Sequence, residues 1–418
     1  MKRYDIIIAG GGMAGLSLCL HLGKSALRSA SILLIDRERK TRNDRTWCFW
    51  ESGKGPFESI VFRKWQTVEF VNTTLSRHLP TRDYTYKMVR GIDFYDYAYR
   101  ELANLPNLDI IYATVDTITD TPAGGVVRTG EETYTARYVF DSTTPLTRQT
   151  TTNQHLLQHF KGWVITTGHD CFDVNSPRLM DFRTPQHADC RFFYILPIDS
   201  RTALVEYTVF SQQVLTDQAY TDALTSYIGD FLNTGGYQIR ETERGVIPMS
   251  DQLQPAKPSQ HVIRIGTSGG YTKPSTGYTF QRTQQYLGEL VANLVSTGKP
   301  TRQQLGLRGW TKRVLDTIFL NVLINNRLPA HELFTRLFTG NDPNRLFRFM
   351  NEETTLLDDL RVINSLPKAP FVLAAADSLL NRLRHSITGQ WLQRGSASLH
   401  VRDTYRSKTD LLSESQPV

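Results

Sequence analysis

The feature that most restricts what this chain can become is a glycine-spaced turn after its first apolar run. Tyr4 to Ala9 reads as a short buried strand, Gly10, Gly11 and Gly12 end it, and helical spacing runs on from Met13 to about Lys24. Gly10, Gly12 and Gly15 satisfy G-x-G-x-x-G between strand and helix. Asp36 ends a second buried strand, Ser31 to Asp36, about 20 residues after the last glycine. Gly10 permits the tight turn, Gly12 lets backbone approach a pyrophosphate, and Gly15 lets helix and strand pack closely. The helix N-terminus adds amide donors and a positive dipole end. Asp36 is placed to bind the adenosine ribose. A lone glycine pattern also describes a flexible turn, but strand, helix and acid together make a dinucleotide-binding βαβ unit.

At 418 residues the chain has room for two or three domain-sized units. Thr67 to Asn72 alternates like a half-buried antiparallel strand, and a helix is expected from Ile92 to Leu105. Asp109 to Tyr112, Gly125 to Arg128 and Tyr134 to Phe140 read as strands, the last leading into a polar turn from Asp141 to Thr144. Between Gly162 and Tyr207, "GWVITTG", "RFFYILPI" and "TALVEYTVF" predict an antiparallel sheet suited to covering a substrate cavity. A helix near Asp217 to Leu232, a strand at His261 to Gly266 and a helix from Phe280 follow. From Gln303 to Ser396 the spacing is helical, interrupted by Pro329, Pro343, Pro367 and Pro370.

The expected architecture is α/β: a Rossmann-type nucleotide domain (1–65, 88–160 and 243–300) interrupted by an antiparallel-sheet substrate domain (66–87 and 161–242). A helical cap (301–402) and a flexible tail (403–418) complete it.

Composition closes off several classes. Four cysteines without close spacing give neither a zinc site nor a redox dithiol, and no metal site is expected. The N-terminus lacks the apolar core of a signal peptide, and no apolar run reaches the roughly 18 residues of a membrane span. The expected location is therefore cytoplasmic, with any membrane contact peripheral. A net charge of +7 suits nucleic acid or anionic lipid equally, but no nucleic-acid module is present and no nucleic-acid partner is expected. Oligomeric state is not legible.

A second glycine-rich turn, "RIGTSGGYTKPSTGYTFQRT", selects the nucleotide. With the first unit at the extreme N-terminus, Gly266, Gly269, Gly270 and Gly277 would bring backbone amides to the remainder of a dinucleotide or its isoalloxazine ring, which favours FAD over NAD. A surface loop would be the plainer reading of the same glycines.

Four stretches point further: "DRTWCFW" (Asp44 to Trp50), "RLMDFRT" (Arg178 to Thr184) with "FFYILPIDSRTALVEYT" (to Thr208), "ERGVIPM" (Glu243 to Met249) and "KPSTGYTF" (Lys273 to Phe280). A weaker fifth, "RLFRFMNEETTLLDDLRVI", lies in the cap. In order and spacing they resemble the flavoprotein lycopene cyclases of carotenoid biosynthesis over most of the chain. That resemblance implies an aromatic-hydroxylase-like flavoprotein fold and a reaction that closes the ψ end of lycopene, or another acyclic carotene, to a β-ionone ring without net oxidation. Hydroxylases of this fold usually carry Gly-Asp at the late turn, where this chain has Gly266 and Thr267.

Protonating an alkene requires a strong acid in a dry site, and burial in an apolar cavity raises a carboxylic acid's pKa so that it arrives protonated. The resemblance places Glu206, in "LVEYT", in this role, although a glutamate at a strand end is more often solvated. Asp181, in "LMDFR", is the second candidate; Arg45 or Arg183 would equally hold it in a structural ion pair. Trp47, Phe49, Trp50 and Tyr278 are candidates to stabilise the cation through their ring faces, or else core residues. Arg45 is also assigned to the cofactor. Reduced FAD would supply negative charge, and NAD(P)H would serve to reduce it. A substrate dissolved in membrane implies a peripheral membrane partner, for which "DTIFLNVLI" and "PFVLAAADSLLNRL" offer apolar helix faces. A redox flavoenzyme of the same fold (a monooxygenase or prenyl reductase) and a flavin-bearing lipid-binding protein remain alternatives.

Overall fold

The computed structural model describes residues 1–146, 153–252, 259–301 and 306–383. Its first sheet runs Leu108–Tyr112, Ile32–Asp36, Lys2–Ala9, Glu132–Asp141, Gly124–Thr129, Thr117–Thr121, with Val262–Arg264 parallel to the far end of Glu132–Asp141. Ile6, Ile7 and Ile8 are all buried, as a parallel strand covered on both faces requires. Helices Met13–Gly23, Gly91–Leu102 and Phe280–Thr297 share one core with Ile6, Ile8 and Leu34 on one face of this sheet. The expected Rossmann-type unit is present.

The second sheet is the platform: Tyr237–Ser250, His155–Thr167, Thr202–Ser211, Cys190–Pro197, Arg178–Asp181, Thr67–Val71, Ser76–Pro80. Strand alternation gives it two unlike faces. Phe193, Val205 and Tyr207 pack beneath helix Asp217–Phe231, while Phe192, Leu204 and Phe210 join a core with the cap residues Leu320, Phe334 and Phe347.

Two expected domain boundaries are corrected. Those at 160/161 and 242/243 fall inside His155–Thr167 and Tyr237–Ser250, which pair with each other along their lengths, so the strands that open and close this stretch begin at 155 and end at 250. A three-stranded sheet, Thr46–Glu51, Thr85–Arg90 and Arg63–Trp65, was not anticipated and takes the end of the 66–87 segment. It joins the two halves, since Phe49 and Val89 enter the nucleotide-side core and Trp50 and Met88 the platform-side core.

The cap consists of Leu307–Ile324, Ala330–Gly340, Pro343–Met350 and Leu356–Asn364, with 368–383 also helical. Its prolines start helices rather than break them: Pro343 takes the first helical position while the Asp342 side chain accepts from the N–H groups of Asn344 and Arg345. The expected tail, and the cap beyond 383, lie outside the described residues.

Candidate active site

The first glycine turn is built for a close ligand. Gly10 has φ of +100°, and a Cβ there would lie 2.2 Å from Ser142 Oγ, while a Cβ on Gly15 would lie 1.9 Å from the Gly10 carbonyl oxygen. A Cβ on Gly12 would meet nothing. That open space faces the start of helix Met13–Gly23, which has no side-chain cap and no acidic residue in its first turn, leaving its amides for an anion. Asp36 accepts from the Gly11 N–H at 2.5 Å through Oδ2, and Lys40 approaches its Oδ1 at 3.3 Å. The second turn abuts the first: a Cβ on Gly266, at φ +63°, would lie 2.7 Å from that of Ala14.

A single cavity of about 460 Å³ extends from Gly12, Ala14 and Lys40, past Gly266 and Gly277, to Glu206 and Glu243 on the platform. Gly12, Gly266 and Gly277 line it; Gly10 and Gly15 shape the turn behind it. Gly269 and Gly270, expected at the ligand, do not line it: Gly269 closes a turn on Ile265 and Gly266, and a Cβ there would lie 2.5 Å from the Arg264 carbonyl oxygen. Gly277 has φ of +73°, and its missing side chain makes room for Gln158, whose Oε1 is buried and has no hydrogen-bond partner among the described residues.

At the far end two glutamates meet. Glu206, Gly162 and Glu243 stand in register on three adjacent strands, with Gly162 in the middle. Because the glycine has no side chain, the flanking glutamates close over it, with Glu243 Cγ and Glu206 Cβ 3.2 and 3.3 Å from where a Cβ would stand, and their carboxyls interact. Burial, then the Glu243 charge, then their shared hydrogen bond raise Glu206 well above the ordinary carboxylate range. Burial also raises Glu243, but the hydrogen bonds from Glu206 and from Thr46 Oγ1 (2.8 Å) and the nearby Arg45 charge oppose it. The two carboxyls titrate as a coupled pair, with Glu206 the more strongly raised of the two. Thr208 Oγ1 donates to Glu206 Oε1 at 2.7 Å and fixes its orientation.

Glu243 was present in the "ERGVIPM" stretch but carried no assigned role. The replacement Gly162→Val tests the arrangement, because a Cβ at 162 already lies 2.9 Å from Leu204 Cδ1 and 3.2 Å from Glu243 Cγ. The expected result is a loss of about 1–3 kcal/mol in denaturant unfolding, with activity falling at least tenfold as the carboxyls are parted.

The remaining candidates divide. Trp47 lines the cavity, held edge-on by Phe94 at 5.5 Å between ring centroids, and Tyr278 lines it too. Phe49 and Trp50 do not: Phe49 stacks on Phe280 at 4.9 Å, and Trp50 packs behind Tyr278 at 4.7 Å, so both are core. Tyr86 and Tyr194, not singled out from sequence, line the cavity with Tyr278, and burial keeps all three phenols neutral. Arg45 lies at the cavity wall, donating to the Asp44 and Arg244 carbonyls and biasing Glu243, not pairing with Asp181.

Asp181 is a correction. It pairs across the strand from Phe193, on the face opposite Glu206, where Arg183 Nη2 at 2.6 Å and the Tyr227 hydroxyl at 2.5 Å saturate it beneath helix Asp217–Phe231. It is a structural ion pair.

Three solved structures overlay most of the chain at low identity. A geranylgeranyl bacteriochlorophyll reductase-like protein from Thermoplasma acidophilum has a TM-score of 0.57 at 12% identity, covering 90% of this chain and 100% of that one. The flavin-dependent brominase Bmp2 gives 0.55 at 14%, covering 91% and 100%, and a flavoprotein/dehydrogenase from Cytophaga hutchinsonii gives 0.55 at 11%, covering 89% and 98%. These establish the fold as the Rossmann-type FAD-binding fold. A lycopene beta-cyclase of Pseudescherichia vulneris is 22% identical over 382 residues, covering 88% of this chain and 95% of its own length. The family model described as lycopene cyclase protein matches residues 5–376, so the chain belongs to the lycopene cyclase family.

Proposed function

We propose that this protein is a lycopene β-cyclase that holds FAD in the glycine cradle and closes ψ end groups to β-ionone rings with no net redox change. The buried Glu206–Glu243 pair, facing a cavity walled by aromatic rings, carries this reading. The fit of FAD rests on the open space at Gly12, the uncapped helix start beside it, and the orphaned Gln158 Oε1, which would accept from an N–H of the flavin ring. When bound and reduced, the flavin supplies negative charge near the reacting end.

The protein's own residues account for the proton. Glu206 gives its proton to the terminal alkene carbon, the next double bond attacks the resulting cation and closes the ring, and the ring cation loses a proton back to the carboxylate pair. One proton enters and one leaves, so the pair returns to its starting state. Two adjacent buried carboxylates repel each other, which drives the return. Trp47 and the tyrosines line the cavity and offer ring faces to the cation while limiting water, which would trap it as an alcohol. NAD(P)H is needed only to reduce the flavin beforehand.

The substrate is a hydrocarbon drawn from membrane, so the protein works at a bilayer surface. Among the described residues, no helix is long and apolar enough to cross one. Anaerobic incubation of lycopene with the purified protein and reduced FAD is expected to yield γ-carotene and β-carotene by chromatography. Unchanged lycopene would refute the assignment.

A further inference from the structure

The two apolar cap segments anticipated from sequence have opposite fates. In Asp316 to Ile324, Leu320 and Val322 are fully buried. The helix at 368–383 instead turns its apolar face outward: Val372, Leu373, Leu379, Leu380 and Leu383 are 51–64% exposed. Their helical spacing puts them on one side, while Ala374 and Ser378 are buried on the other and Asp377 is tied inward to Asn321 and Arg327. The preceding helix adds Leu356, Leu357 and Leu360, at 47–67% exposed, and buries Val362 in the same core cluster as Ala374. Exposed apolar patches of this kind mark interaction surfaces.

Charge selects the occupant. Arg361, Lys368 and Arg382 stand exposed on these two helices. Asp359 and Asp377 are neutralised from the inner side by Lys312 and Arg327, while Asp358 is shared by Arg345 and Arg361 and Arg382 also meets Asp251, so that among the described residues Lys368 is the cation of this rim with no acid beside it. An apolar face rimmed by cations fits an anionic bilayer, where leucines enter the acyl boundary and basic side chains meet headgroups. We propose that the outward faces of Leu356–Asn364 and 368–383 are the surface by which this protein docks on anionic lipid.

The placement also gives the substrate a short path, and in this respect the proposal rests on the cyclase reading. Arg382 Nη2 lies 3.4 Å from Asp251 Oδ2, and Asp251 directly follows the strand Tyr237–Ser250. Five residues back along that strand, about 17 Å, Val246 is 53% exposed and lines the cavity. A polyene leaving the bilayer beside Arg382 would enter over Val246.

The test is flotation of the full chain with vesicles of phosphatidylcholine alone or mixed with phosphatidylglycerol, without substrate, so that it stands or falls separately from cyclisation. The wild-type protein is expected to float with the anionic vesicles. Leu373→Asp combined with Leu380→Asp should weaken partitioning about 100-fold at an unchanged melting temperature, and Lys368→Glu should weaken it on anionic vesicles only. Wild-type protein that stays unbound, or a double variant that floats like wild type, would overturn the proposal. So would a double variant that melts earlier with unchanged flotation, which would mean that the chain's own later residues cover the face. A wild-type dimer that the double variant converts to monomer without lipid would assign the face to a second copy instead.

Discussion

Glu206→Gln is expected to reduce ring formation by about 10²–10⁴-fold, the range for removing a positioned general acid, while FAD binding persists. The amide keeps the shape of the neutral acid and its place beside Thr208 and Glu243 but has no transferable proton. A second effect separates this from simple damage. Glu206 binds its proton more tightly folded than unfolded, because burial and the Glu243 charge disfavour its anion. Its contribution to stability is therefore fully present below the unfolded carboxylate pKa and is lost as pH rises through the raised folded value. The glutamine variant, neutral at every pH, should lose that dependence and melt higher than wild type at alkaline pH. A variant with near-normal turnover would remove Glu206 from the acid role.

Lys273→Met should be the most destabilising single change in the cap interface. Lys273 is buried, and its Nζ donates to Asp316 Oδ1 at 2.9 Å and to Glu352 Oε1 at 2.8 Å. Arg282 Nη1 also reaches Glu352 Oε1, at 2.7 Å. Although burial raises Glu352, the charges of Lys273 and Arg282 hold it down at about 2. Removing the lysine leaves two carboxylates in a site built for a cation, a loss of about 3–5 kcal/mol. Lys273 also anchors the turn that carries Gly277 and Tyr278 into the cavity, since its carbonyl accepts from the Gly277 N–H and its N–H donates to the Tyr278 carbonyl. Loosened FAD should therefore accompany the lost stability. The sign at acid pH is opposite to that of Glu206: Glu352 stabilises above its unfolded pKa, and that stability is lost as pH falls towards about 2. Denaturant unfolding that shifts by less than about 1 kcal/mol would show that the network carries little.

Local chemistry was legible in the sequence and register was not. Gly10, Gly12, Gly15 and Asp36 form a contiguous pattern whose purpose follows from spacing, and the late turn from Gly266 to Gly277 announced itself by composition. Glu206 stands out through the family resemblance, since its place in a strand alone reads as that of a solvated carboxylate. Its partner does not, since the meeting of Glu206 with Glu243 depends on three strands aligning on Gly162, and no local signal reports that. The choice for Asp181 between a catalytic role and the ion pair with Arg183 stays open in the sequence for the same reason: whether it shares a face with Glu206 is decided by its pairing with Phe193 rather than Tyr194. For Phe49 and Trp50 the choice between cation stabiliser and core residue stays open in the sequence, because Thr46–Glu51 is not legible there as a strand and the alternation that sends them into two cores is not available.

The solved structures that share this fold include a reductase-like protein and a brominase, which makes redox neutrality the claim to test. The decisive measurement counts rings formed against NADPH and oxygen consumed, anaerobically and in air, after the flavin has been reduced once. Many rings per flavin, formed without oxygen and with no further reductant oxidised, is the expected result. One NADPH or one oxygen consumed per ring would contradict it.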